Sequence, residues 1–173
     1  KYEVVRETAM RDGLTGLLNH SSFVERFQQE LQRANRYNEK LVLMMLDLDK
    51  FKRINDNYGH LYGDYVLRGT CAVLKNGVRN IDIVGRYGGE EFAIVLVKTT
   101  KTKSFNSAKR IIQSLADHQF EKEGQEVKMT ISAGMAEYPT DGEKIRDLIA
   151  IADRALYKVK GRGGNDVEVG EIP

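Results

Sequence analysis

The sequence holds one cysteine, two prolines and no tryptophan. A single Cys71 excludes any disulfide framework, and its place in the helix-like run "LRGTCAVLK" marks it as a small core residue. That usage fits a reducing compartment, so the domain is expected in the cytoplasm. Long apolar runs are missing too. The longest, "LVLMML", is far too short to span a bilayer, and no secretory leader precedes it. Charge of one sign is scarce: 27 basic against 25 acidic residues leave a net charge of +2. That balance argues against a broad nucleic-acid surface, so no nucleic-acid partner is expected, and any phosphate ligand must be held by local geometry. Repeats and low-complexity tracts are absent. The sequence opens on Lys1 rather than Met, which suggests an excised domain with a sensor, or a membrane anchor, upstream.

What remains is enough for one domain with a full core at 173 residues. Residues 1–11 read as the end of a linker helix, and 12–173 as the domain proper. "RDGLTGLLN" is a turn-rich connector. A helix follows at "SSFVERFQQELQRANRYN", with Ser22 and Glu25 as a capping box and Phe23, Phe27 and Leu31 repeating every fourth residue. "KLVLMMLDLD" is an apolar run bounded by turn signals and reads as a buried strand. Then come a short helix, "KFKRINDN", the glycines of "YGHLYGD", and a longer helix through "YVLRGTCAVLKNG". Next are a hairpin, "IDIVGRY" and "EEFAIVLV" about two glycines, a polar loop "KTTKTKS", and a helix "SAKRIIQSLADHQ". A strand "EVKMTISAGMAEY", a final helix "EKIRDLIAIADRALYKVK" ending in "GRGGN", and an edge strand in "DVEV" complete the chain. This order predicts an α+β fold, ferredoxin-like or palm-like: a mostly antiparallel central sheet carrying the glycine hairpin and surrounded by helices.

The hairpin places Glu90 and Glu91 where its second strand begins, ahead of the core residues Phe92 and Ile94. The strand "LVLMMLDLD" turns acidic at one end as well, with Asp47 and Asp49. If the two strand ends are neighbours, Asp47 and at least one glutamate converge, and such oxygens suit Mg²⁺ together with phosphate. Two ions of this kind activate an attacking hydroxyl and steady a leaving pyrophosphate. Singly, each acid has an ordinary alternative: solvated hairpin acids for the glutamates, a helix N-cap for Asp49. The N-cap is the reading taken for Asp49, and the joint placement favours a shared site for the other three. The N-terminus of the short helix, near Phe51 and Lys52, adds N–H groups and a charge suited to phosphate.

These segments together resemble the GGDEF-domain diguanylate cyclases, in the GGEEF variant. The resemblance rests on "DGLTGLLN", "DLDKFKRINDNYGHLYGD", "RNID", "RYGGEEF" and "ADRALYKVKGRGGN", in family order and spacing, over nearly the whole chain. It implies that two GTP molecules on facing domains of a homodimer condense to cyclic di-GMP and two pyrophosphates. It implies two Mg²⁺, or Mn²⁺, per half-site, with Asp47, Glu90 and the Leu48 carbonyl as ligands and the Glu90–Glu91 pair helping to deprotonate the hydroxyl. Asn55 and Asp64 would read guanine, whose adjacent donors suit a carboxylate. His60 would contact the nucleotide or order its loop, and Lys160 would meet phosphate. Where the family commonly carries an arginine four residues after that lysine, this chain has Gly164, and Arg162 is the nearest substitute. His20 likewise stands where an arginine is common. "RNID" resembles the family's inhibitory site, so Arg79 and Asp82 would bind cyclic di-GMP, with Arg110 as a secondary contact from another domain. The alternative is a catalytically idle module that binds GTP or cyclic di-GMP as a receptor.

Overall fold

The computed structural model describes residues 2–172, leaving Lys1 and Pro173 outside. In chain order the strands are β1 (Leu41–Leu48), β2 (Ile83–Arg86), β3 (Glu91–Val97), β4 (Gln119–Lys122), β5 (Gln125–Lys128), β6 (Ile131–Tyr138) and β7 (Val167–Val169). The helices are α1 (Tyr2–Met10), α2 (His20–Tyr37), α3 (Phe51–Tyr58), α4 (His60–Asn76), α5 (Lys101–Asp117) and α6 (Ile145–Gly161). Five strands form one sheet in the order β2–β3–β1–β6–β7, and β4 with β5 forms a separate ribbon. Every pairing in the main sheet is antiparallel except β6 with β7. The expected α+β sheet is therefore present, β7 being the edge strand.

Its middle strand explains the unbroken apolar run. Alternate residues of β1 enter two cores: Val42, Met44, Leu46 and Leu48 pack with residues of α3, α4 and α5, while Leu41, Leu43 and Met45 pack with residues of α2 and α6. A strand covered on both faces has no polar row to show. Helix α6 lies so close to β6 that a Cβ on Gly134 would collide with the Ala152 carbonyl. Cys71 is buried, as expected, and burial pushes its thiol pKa up.

Several local expectations are corrected. The N-cap of α2 is Asn19, whose side chain accepts from the Ser22 amide, so Ser22 and Glu25 form no capping box. Asp49 does not cap α3: Lys50 holds that position in the left-handed region (φ 55°), and no side chain caps the helix. Helix α4 starts at His60, with Gly63 inside it; a Cβ there would strike the Asn55 carboxamide, so the glycine serves packing and not chain reversal. The polar "KTTKTKS" is mostly helix, because Thr100 caps α5 by accepting from the Lys103 amide. The strand expected over "EVKMTISAGMAEY" divides at Met129–Thr130, its first part pairing with β4, which sequence periodicity did not reveal. The hairpin turn spans Tyr87–Glu90, wider than the two glycines.

Candidate active site

Strand alternation decides which acids meet. Asp47 continues the β1 row of Leu41, Leu43 and Met45, and Glu91 continues the β3 row of Ala93, Val95 and Val97. The two are direct cross-strand partners, so their side chains leave the same face at one sheet end. Such partners have Cα atoms about 4.5–5.5 Å apart. Glu90 closes the turn, its carbonyl accepting from the Leu48 amide at 3.2 Å. Burial raises the pKa of Glu90 above the usual carboxylate value; the Asp47 charge adds to that and the Lys160 charge opposes it. Glu91 is raised likewise, by burial and then by Asp47 and Asp153. Both hairpin glutamates therefore feel Asp47, as the sequence suggested.

Lys160, from the last turn of α6, enters the same spot. Its Nζ lies 2.9 Å from Asp47 Oδ1 and 2.8 Å from Asp49 Oδ1, and it donates to the backbone carbonyls of Leu48 (3.0 Å) and Asp47 (3.2 Å). Burial pulls the Lys160 pKa down, but the hydrogen bonds to Asp49 and Asp47 outweigh it and leave the ammonium more firmly protonated than usual.

Asp49 is the residue that sequence reading missed. Its carboxylate accepts from Thr130 Oγ1 (2.7 Å), Ser132 Oγ (2.6 Å), the Asn165 amide (2.9 Å) and Lys160. It thereby ties the loop after β1 to β6 and to the end of α6. Gly164 belongs to this arrangement: it sits at φ 77°, and a Cβ there would lie 2.7 Å from the Asp49 carboxylate. A side chain at position 164 would therefore crowd the Asp49 carboxylate, which glycine avoids. Arg162 does not substitute, because it pairs with Glu168 (2.7 Å) and Asp166 (3.2 Å).

Among the described residues no three carboxylate, imidazole or thiol groups converge tightly enough to form a ready metal cluster. The oxygens seen together are the Asp47 carboxylate and the Leu48 carbonyl, both on Lys160 Nζ, with Glu91 opposite Asp47 in the register; these are hard donors of the kind Mg²⁺ takes. The donor set fits the ion.

A cavity of about 610 Å³ opens beside this rim. Phe51, Lys52, Asn55, His60 and Asp64 line one side, and Gly89, Glu90 and Glu91 the other. The expected guanine residues Asn55 and Asp64, with Phe51, Lys52 and His60, are thus brought to one cleft with Glu90 and Glu91, while Asp47 and Lys160 lie outside its lining. Nothing lies within 4 Å of where a Gly89 Cβ would stand, so bare backbone faces the cavity. Arg86, unassigned from sequence, braces the turn: it donates to the Gly89 carbonyl (2.7 Å) and to both Asp12 carboxylate oxygens (3.1 Å).

Arg79 and Asp82 meet on the far side of β3. The Arg79 guanidinium donates to Asp82 Oδ1 (3.0 Å) and Oδ2 (3.2 Å), the Arg79 amide donates to Oδ2, and the Val97 amide to Oδ1. Asp82 has a side chain only 1% exposed. Its expected role of reading a guanine edge meets a carboxylate already engaged in aiming Arg79. Arg110 lines the same cavity of about 420 Å³ as Arg79 and Asp82.

Fold and rim together define a palm-like α+β domain with its acids at one end of an antiparallel sheet. Within that class the chain belongs to the family described as "Diguanylate cyclase, GGDEF domain", which residues 9–166 match. Diguanylate cyclase DosC of Escherichia coli is 38% identical over 168 residues, covering 96% of this chain and 36% of that protein. The GGDEF domain of DgcB from Caulobacter crescentus, solved in complex with c-di-GMP, has a TM-score of 0.88 at 29% identity, covering 94% of each chain. The active GGEEF domain of a diguanylate cyclase from Vibrio cholerae has a TM-score of 0.83 at 32% identity, covering 91% of this chain and 99% of that one. The chain spans less than half the length of the curated relatives it matches. No helix among the described residues is long and apolar enough to cross a membrane.

Proposed function

We propose that this domain is a diguanylate cyclase, condensing two GTP into cyclic di-GMP and two pyrophosphates within a homodimer. The observation that carries the reading is Asp47 directly opposite Glu91, with Glu90 and Glu91 lining a cleft that also holds Asn55 and Asp64. Each domain would hold one GTP. Asn55 and Asp64 would accept from the guanine N1–H and N2 amino group, which adenine cannot supply together. The amides at the uncapped start of α3, Lys52 and Lys160 would carry the triphosphate.

Asp47, the Leu48 carbonyl and Glu90 would hold Mg²⁺, or Mn²⁺, two ions per half-site, which supply Lewis-acid charge to phosphate and hydroxyl oxygens. A hairpin glutamate, with its raised pKa, takes the 3′-hydroxyl proton as that oxygen bonds to the α-phosphorus of the facing nucleotide. The bond from that phosphorus to the bridging oxygen breaks, and pyrophosphate leaves. Cyclic di-GMP held by Arg79 and Arg110 would restrain facing domains in a non-productive arrangement. Helix α1 (Tyr2–Met10), with its exposed Val4 and Val5, would end a linker helix that brings two copies together under an upstream sensor.

Incubation with Mg²⁺ and GTP or ATP, followed by identification of the nucleotide product, tests the whole reading. Cyclic di-GMP from GTP alone is expected. Bound but unconverted GTP or cyclic di-GMP would establish a receptor module instead.

A further inference from the structure

Lys160 stands apart from the other lysines of the described residues in what surrounds its ammonium. Its Nζ has four oxygens at 2.8–3.2 Å: one carboxylate oxygen each from Asp47 and Asp49, and the carbonyls of Leu48 and Asp47. Two of those groups, the Asp47 carboxylate and the Leu48 carbonyl, are the ones assigned above to a divalent ion. One cradle of oxygens therefore serves two cations, and both cannot occupy it, since neither repulsion nor room permits a divalent ion and an ammonium on the same atoms.

We propose that Lys160 is the resident cation of the metal site, and that a divalent ion enters by exchanging with it. This rests on the functional reading above for the identity of the metal ligands. The physical reason for such a device is the acid cluster itself. Asp47, Glu90 and Glu91 put like charges at one rim, and the ammonium set 2.9 Å from Asp47 is the counter-charge in place there before an ion arrives. Asp49 makes the exchange a hand-over and not an ejection. Its carboxylate is held independently by Thr130, Ser132 and the Asn165 amide, so it keeps its place when Asp47 and Leu48 turn to the ion. A lysine retained by Asp49 alone stays beside Asp47 and Leu48 with two donors released to meet an incoming phosphate.

Two measurements without nucleotide test this. In the first, the wild-type domain is acetylated with a water-soluble N-hydroxysuccinimide ester with and without Mg²⁺, and the modification of Lys160 is read by peptide mass spectrometry against that of Lys75. A severalfold rise in Lys160 labelling on adding Mg²⁺ is expected; unchanged or reduced labelling overturns the exchange. In the second, Mn²⁺ binding is followed by electron paramagnetic resonance. Lys160→Met should bind Mn²⁺ about tenfold more tightly than wild type, the factor expected if the ammonium fills the cradle about nine-tenths of the time. Equal or weaker binding overturns the proposal, as does an equal gain in Lys52→Met, which would reduce the effect to general charge. If Lys160→Met does not fold, the labelling result decides alone. Cyclic di-GMP formation without a labelling change would sink the exchange and leave the function standing. A labelling change without any cyclic di-GMP would do the reverse.

Discussion

Asp47 and Glu91 face each other across the β1–β3 pairing, as the last residue pair of that register. Antiparallel register brings them to one face, and Leu48, the last residue of β1, donates its amide to the carbonyl of Glu90 in the turn before β3. Burial, and then the Asp47 charge, raise the pKa of both Glu90 and Glu91, an arrangement that offers a base beside a cation site.

Removing any of the three should therefore abolish chemistry without unfolding the domain. Asp47→Asn, Glu90→Gln and Glu91→Gln are each expected to lower cyclic di-GMP formation by about 10²–10⁴-fold, with far-ultraviolet circular dichroism unchanged. Repeating the assay over a range of Mn²⁺ concentrations separates the roles. A variant partly rescued by more metal has lost a ligand, and one that stays inactive has lost the base. Wild-type rates in Asp47→Asn would remove the basis of the functional reading.

Base selection is expected to sit on the opposite wall of the cleft. Asp64→Asn replaces an acceptor by a group that also donates, and should cost about 1–3 kcal/mol of preference for GTP over ATP. Competition binding of the two nucleotides measures it. Undiminished preference would move guanine recognition elsewhere.

Asp49 carries a stability prediction with a definite sign. Burial raises its pKa, yet donors from Lys160, Ser132, Thr130 and Asn165 prevail and leave it below the ordinary 3.8. A depressed folded value stabilises the domain fully above 3.8, and that contribution fades as pH falls from there toward the folded value. Asp49→Asn should cost about 1.5–3 kcal/mol at neutral pH, the scale of hydrogen bonds to a charged group. The difference from wild type, followed by urea unfolding, should shrink on going well below pH 3.8. A constant difference would mean the charge of Asp49 is not what holds the loop.

The same residue shows where sequence reading stops. The middle strand, the hairpin and the acids at their ends were legible because each is a local pattern: a short apolar run, a glycine turn, a sudden charge. Asp49 before a helical segment has the local signature of an N-cap, and nothing nearby contradicts it. Its partners lie 81, 83 and 116 residues away, beyond any periodicity. Arg86 with Asp12 is similar, two opposite charges in separate motifs that only the fold brings to 3.1 Å. The β4–β5 ribbon was hidden for another reason: four-residue strands are too short to show alternation. Gly164 could be seen as a departure from the family, but only its closeness to Asp49 explains it.

Arg79 should show two separable effects. Arg79→Ala is expected to relieve inhibition by added cyclic di-GMP, measured as initial rate against product concentration. It should also cost about 1–3 kcal/mol of stability, because the buried Asp82 loses its partner. Arg110 bonds only Ser107 among the described residues, so Arg110→Ala should relieve inhibition without the stability loss. Unchanged product sensitivity in Arg79→Ala would dismiss the inhibitory reading of this surface.

The opposite end of the sheet offers a variant that separates stability from chemistry. Register places Leu41 beside Tyr138 and Asp47 beside Ser132, so Glu137 and Asp141 lie at the far end from the acids. There Lys101 Nζ sits 2.7 Å from Asp141 and donates to the Gly170 carbonyl at 2.8 Å, with the Asp141 side chain 3% exposed. Lys101→Met strands that carboxylate and should cost about 3–5 kcal/mol. Pairing it with Asp141→Asn, which removes the stranded charge, should recover much of the loss. In both variants cyclic di-GMP formation per folded molecule should match wild type at temperatures where each is folded. A fall in that specific rate would mean that the two ends of β1 are coupled, and that the rim of Asp47 and Glu91 depends on more than its own neighbours.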